Sequence, residues 1–251
     1  DSYIAALASK EKMARAFTFT EMGYSVGLIF SPLLGAYLLT FLNVRWLFRI
    51  SFLFALLAVL TLFFISSQIP QRKKKPGSAF ADFHASLKNK KFMLWMPVFM
   101  IFAFCIAMIS PFVSAILGDI YKLDKSTILM MGSFSYTGEA ILGLILGGIG
   151  SKRTASKALC LSLITVSMGT LLFAHSSLFL MVPLALFLMG GGRVALALAR
   201  SIVGVSSLNA SAGAMFAVFT VLLGIVQTPA PEIGGILYES SPVQPFLIGA
   251  T

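Results

Sequence analysis

Apolar positions run along this chain in blocks too long and too even for an amphipathic helix or an alternating strand. Phe92 to Leu117 and Ile50 to Ser67 contain no charged residue, nor does Ala158 to Gly192 with His175 neutral; that last run breaks at His175-Ser176-Ser177. About 20 apolar residues cross a bilayer as a helix, which satisfies its own backbone without water. The alternating pattern of an outer-membrane barrel strand is absent from the sequence. About seven complete transmembrane helices are predicted, over roughly Phe17–Leu42, Arg45–Ser67, Phe92–Leu117, Thr127–Gly150, Ala158–Ala174, Leu178–Arg200 and Gly213–Tyr238. Part of an eighth starts near Val243. The expected fold class is an all-α integral-membrane helical bundle. Because the chain opens at Asp1 in a polar stretch that is no signal peptide, and stops at Thr251 just inside a new span, it reads as a fragment.

Composition agrees. Hydrophobic residues make up 58% of the chain and charged ones 11%, against about 25% charged in a soluble domain. The net charge of +10 acquires meaning from its location. One set of loops holds Lys10, Lys12, Arg15, the run Arg72 to Lys75, Lys88, Lys90, Lys91, Lys152, Arg153 and Lys157, with Arg200 at a helix end. The opposite set holds Arg45, with Arg49 as an interfacial anchor, and Lys122 and Lys125 offset by Asp119 and Asp124. The positive-inside rule makes the first set, including loops 68–91 and 151–157, cytoplasmic. The expected location is a plasma or inner cell membrane, crossed many times.

The Arg72–Lys75 run alone would suit nucleic acid, but apolar spans flank it on both sides, so it reads as a solvated loop and no nucleic-acid partner is expected. Phe80, Phe83 and Leu87 fall at helical spacing beside lysines, which predicts a short helix lying on the membrane surface or a partner-binding segment. Cys105 and Cys160, without metal or redox spacing, read as inert core thiols.

A shift of 199 residues lays Ser31-Pro32-Leu33-Leu34-Gly35-Ala36-Tyr37-Leu38 over Ala230-Pro231-Glu232-Ile233-Gly234-Gly235-Ile236-Leu237. The same small-Pro-x-x-Gly-small grouping therefore recurs in two helices of one orientation. Parallel repeats joined by a cytoplasmic loop are a transporter architecture. Gly27 to Ala36 resembles the fifth-helix motif of the major facilitator superfamily, Gly-Pro-x-x-Gly-Gly, with Ser31 and Ala36 as small replacements. Val44 to Phe48 is similar to that family's entry into its sixth helix.

The resemblance implies that residues 1–67 close the N-terminal half, 68–91 form the central loop, and 92–251 supply helices seven to eleven with the start of twelve. It implies that Gly27, Ser31, Pro32 and Gly35, with Pro231, Gly234 and Gly235, form bent, tightly packed helices where the halves move. It also tilts the reading toward export by antiport, since the motif marks exporters. Gly147-Gly148-Ile149-Gly150-Ser151-Lys152-Arg153 resembles a degenerate copy of the family's gating loop, with Ser151 where an aspartate is expected.

Ionisable groups inside spans are costly and are candidates for function. Glu139 lies about twelve residues, or ~18 Å at 1.5 Å per residue, into its helix, near mid-membrane. Its small polar surroundings, Tyr136-Thr137-Gly138-Glu139-Ala140, suit proton or cation handling; structural pairing with a basic group is the alternative. Arg193 follows Gly190-Gly191-Gly192 in the cytoplasmic half of its span; it is placed to meet an anionic substrate, pair with Glu139 or snorkel. Glu21 near the cytoplasmic end and Glu232 near the outer end read as gates or as headgroup contacts. Gln227, Asn209 and Tyr136 are further polar groups that nothing singles out.

Together these features predict a secondary active transporter of a small organic solute, proton-coupled, exporting by alternating access and functional as a monomer at full length. A non-transporting sensor or assembly protein, or an importer or uniporter of the same fold, remains the alternative. An enzyme is disfavoured: His84 and His175 sit in loops with no nucleophile–base arrangement, and no nucleotide-binding loop is present. No cofactor and no metal are expected.

Overall fold

The computed structural model describes residues 12–65, 79–152, 154–176, 179–206 and 212–250. Lys10, the Arg72–Lys75 run, Arg153 and Asn209 lie outside them. The described chain is helical: α1 Met13–Leu39, α2 Val44–Ile65, α3 Ala79–Leu87, α4 Lys90–Asp119, α5 Lys125–Lys152, α6 Ala155–His175, α7 Met181–Met189, α8 Gly191–Ser206, α9 Ala212–Gln227, α10 Ala230–Ser240 and α11 Gln244–Ala250. Among the described residues seven stretches are long and apolar enough to cross a membrane, and their ends match the predicted spans to within about six residues.

Local chemistry sets several ends. Asn89 caps α4 by accepting from the Phe92 amide at 3.3 Å. Asp124 caps α5, accepting from the amides of Ser126 and Thr127 and from the Thr127 hydroxyl.

Two spans expected to be single helices are each divided in two. Met181–Ser206 consists of α7 and α8 meeting at Gly190, and Gly213–Ser240 contains α9 and α10 separated at Thr228-Pro229. The second break follows from two prolines, Pro229 and Pro231, that lack an amide donor. By contrast Pro32 sits within α1, which runs unbroken from Met13 to Leu39.

Side chains pack into two apolar clusters, toward opposite ends of the bundle. Phe17, Phe92, Met96, Phe99, Leu198, Met215 and Phe219 centre the first; Ile109, Leu117, Phe173, Val182, Leu186 and Phe246 centre the second. Phe99 meets Phe219 edge-on with ring centroids 5.7 Å apart. Phe83 and Leu87 of α3 pack on the first cluster, and Asn89 Nδ2 donates to the Ser206 carbonyl at 3.3 Å. So α3 is seated against the bundle rather than lying free on the membrane, because its apolar face finds protein first. His84 is therefore helical, not in a loop, and His175 ends α6. Cys160 is exposed on the outside of α6, not a core thiol, whereas Cys105 is half-buried.

Small residues make the seam between α1 and α5. A Cβ on Gly147 would strike the Thr18 side chain, and one on Gly150 would come within 3.1 Å of Ala14 Cβ. Further along, Ser133 Oγ donates to the Ile29 carbonyl at 3.3 Å and Ser126 Oγ to that of Ala36 at 3.4 Å. Close backbone approach of this kind drives helix association where lipid and side chain are equally apolar. At the other extreme, every residue of α2 from Ser51 to Thr61 is exposed.

Candidate functional site

Glu139 and Arg193 meet at the middle of their spans. Glu139 is the fifteenth of 26 residues in Lys125–Gly150, and Arg193 the thirteenth of 26 in Met181–Ser206. That places Arg193 at mid-span rather than in the cytoplasmic half that the sequence suggested. The helix break explains how they meet. A Cβ on Gly138 would collide with the Phe187 carbonyl, and one on Gly190 with the Ser135 carbonyl and the Glu139 amide. Only glycines allow α5 to press on the α7–α8 junction this closely. The junction is held from its other side by the Ser162 hydroxyl, which donates to the Gly191 carbonyl at 2.8 Å.

The Glu139 side chain is 1% exposed and neither carboxyl oxygen has a hydrogen bond. Its ionic partner is Arg193, with Nε 3.6 Å from Oε2. The guanidinium lies over the Tyr136 ring, 5.0 Å from its centroid. Arg193 is also the one exposed residue between Ala185 and Ser206, at 47% of its side chain. It makes no side-chain hydrogen bond among the described residues, so its planar fork is open on the side away from Glu139.

A second ion pair lies two turns further along α8. Arg200 Nη1 bonds Glu21 Oε1 of α1, with both side chains partly buried. Ser25, fully buried one turn on from Glu21, donates its hydroxyl to the Glu21 carbonyl at 2.8 Å and stands beside the Glu139 carboxyl. Thus α1, α5 and α8 bring two acids and two arginines into one connected group. Sequence reasoning placed Arg200 at a helix end among the cytoplasmic charges, without a partner, and did not single out Ser25. The usable signal was the seven-residue spacing of Arg193 and Arg200, which places both on one helix face.

The other candidates are dispersed. Glu232 is exposed in the first turn of α10, where a carboxylate favours the helix N-terminus. Gly27 has nothing within 4 Å of where a Cβ would stand, and Gly35 has only Leu129 Cδ1 at 4.0 Å. Ser31 and Pro32 share that open stretch of α1. Gly234, in contrast, is pressed on Met108 and Phe112 of α4, with Gly235 at 3.9 Å from the Phe112 ring. Ser151 and Lys152 form the last turn of α5 and Arg153 lies outside the described residues, so the close contacts seen in this segment are those of Gly147 on Thr18 and Gly150 on Ala14. No group of three or more His, Cys, Asp or Glu able to hold a metal occurs among the described residues.

A family model described as Major Facilitator Superfamily matches residues 1–231. The chain belongs to the Major Facilitator Superfamily. No match to a curated protein was found. Family membership with seven apolar spans among the described residues makes this a multi-pass membrane protein of the transporter class, whose members are transporters rather than enzymes. Within that frame, the mid-span pair on α5 and α8 is the place where charge and access coincide.

Proposed function

We infer that the chain is part of a proton-coupled transporter that exports a small organic solute by alternating access, with Glu139 as the proton site. One observation carries this reading: a carboxyl buried at mid-span, with neither oxygen hydrogen-bonded, beside one exposed arginine. An ionised carboxylate there depends on Arg193 for its compensation, since burying an unpaired charge is very costly. Anything that engages Arg193 therefore changes how readily Glu139 holds a proton, and the reverse follows by linkage.

Residues 1–67 would then be the end of the first six-helix half and 92–251 most of the second, joined by the basic segment 68–91 on the cytoplasmic side. On that assignment α1 crosses between halves, and the Glu21–Arg200 pair joins them. Solute, proton and lipid are the partners required, and a monomer suffices. Export rests on the likeness of Gly27–Ala36 to an exporter motif.

The test uses the full-length protein in inside-out vesicles with an imposed pH gradient, challenged with dyes, drugs, sugars and organic anions. Solute-dependent loss of the gradient in wild type, absent in Glu139→Gln, supports proton coupling at this residue. Loss that persists in the variant puts the proton elsewhere. Silence toward every compound favours a sensor or a uniporter.

A further inference from the structure

We propose that Arg193, held over Tyr136 and released when Glu139 takes a proton, binds the carboxylate or phosphate of an anionic organic solute, so that anion and proton are loaded together. This rests on the reading of Glu139 as the proton site and adds the class of solute. Among the described residues the span around Arg193 is the most enclosed of the seven: from Ala185 to Ser206 every other described residue is buried or half-buried. An arginine opening outward from such a helix at mid-span is out of reach of either headgroup layer, so an incoming solute has to bring the oxyanion.

The contacts leave the right part of the group free. Glu139 meets the Nε edge at 3.6 Å and Tyr136 covers one face of the plane. What remains is the Nη fork, whose paired donors match the two oxygens of a carboxylate or phosphate. An aromatic ring on one face also gives a flat apolar body of the solute something to stack on.

Coupling follows from charge balance. With Glu139 ionised the pair is neutral, and an added anion would crowd the carboxylate. With Glu139 protonated, by one proton from solution adding to one carboxylate oxygen, Arg193 becomes an uncompensated cation in a poorly hydrated place and draws an anion. The groups acting on Glu139 are Ser25 and Glu21 from α1 and Arg193 from α8. Arg200 is committed to Glu21. Tyr136 shares α5, and α7 carries no titratable residue. The charged residues and histidines of α4 and α6 (Lys90, Lys91, Asp119, Lys157 and His175) lie at helix ends; their thiols are the half-buried Cys105 and the exposed Cys160. Anion and proton leaving together is cotransport, which differs from the exchange that the exporter-like motif implies.

The experiment measures binding of radiolabelled benzoate, with benzylamine as the cationic counterpart, to full-length protein in phosphatidylcholine nanodiscs. Glu139→Gln mimics the protonated carboxyl, and Glu139→Gln/Arg193→Gln removes both charges without stranding a buried carboxylate. At neutral pH the single variant should bind benzoate about tenfold more tightly than wild type, or about 1.4 kcal/mol. Wild type should approach the single variant as pH falls, and the double variant should lose binding. Equal benzoate binding in single and double variants, or none in any form, overturns the anion site. Benzylamine bound by wild type and lost in Glu139→Gln overturns the anion class yet keeps the proton site. Benzoate binding through Arg193 that ignores both pH and Glu139 overturns the proton reading instead. Displacement of benzoate when phosphatidylglycerol is added to the discs assigns the fork to a lipid phosphate and overturns the solute claim.

Discussion

Two segments of this chain share the pattern small-Pro-x-x-Gly-small and use it in opposite ways. Around Pro32 the helix continues through the proline and its glycines touch nearly nothing. Around Pro231 the proline opens a new helix after a break, and Gly234 is pressed against the backbone of α4. Pattern alone does not decide whether a glycine is a contact. A neighbour at the right depth does, and α4 provides one for α10. On α1 the close approach to α5 is carried instead by Ala14, Thr18, Ser25 and Ala36, the helix's small buried residues.

The contrast breaks most easily at Gly234. Gly234→Ala puts a methyl against the Met108 carbonyl and the Phe112 ring, which should cost about 1–3 kcal/mol and lower the thermal unfolding midpoint in detergent. Unchanged stability would mean that α10 and α4 separate freely. Pro32→Ala comes next, with the opposite sign. It restores an amide inside a continuous helix and should stabilise by about 1 kcal/mol or more, whereas Pro231→Ala, in a first turn, should change little. A loss in Pro32→Ala would show that α1 needs its proline for packing.

Gly27→Ala and Gly35→Ala should be neutral or gain up to ~1 kcal/mol from helix propensity, assessed in the same unfolding assay. If either one is as damaging as Gly234→Ala, the two copies are equivalent after all and α1 has a neighbour at that face.

The smallest effect concerns the far end of the α1–α5 seam, where Ser126 holds Ala36. Asp124 is held below the usual carboxylate range by the Thr127 hydroxyl first and then by backbone amides of Thr127 and Ser126. A lowered folded value means that its stabilisation is present above the unfolded carboxylate range and fades as pH falls through the folded one. Amides in the first turn of α5 should therefore lose protection, measured against their intrinsic exchange rates, below about pH 4, and Asp124→Ala should remove that dependence.

Spans were legible because a bilayer demands some twenty apolar residues in a row, a requirement each segment meets on its own. Glu139 was legible for the same reason, as a charge in a run that should hold none. Its pairing with Arg193 was one of three options and needed the fold, because partners on different helices leave no mark in spacing. Three glycines stand at the Gly190 break and two prolines at the Thr228-Pro229 break, yet each was absorbed into one long span. The seat of α3 was not legible: Phe83 and Leu87 look the same whether they face lipid or protein. Cys160 was misplaced for a similar reason, since in a membrane the apolar outside and the apolar inside have one composition.

The two helix breaks share a geometry that neither span has alone. From Gly190 the chain runs 16 residues through α8, Gly191–Ser206, and after the connecting segment it runs 16 more through α9, Ala212–Gln227, before breaking again. At 1.5 Å per residue each arm is ~24 Å long, and the two arms touch. Counted along the chain, the two breaks stand at one mark, sixteen residues to either side of the connecting segment. Above it stand α7 and α10, short columns of nine and eleven residues. Below it stand two equal pillars, one of which carries both arginines. Each of these spans is thus two shorter rods rather than one, and the joints fall at matching places along the two arms.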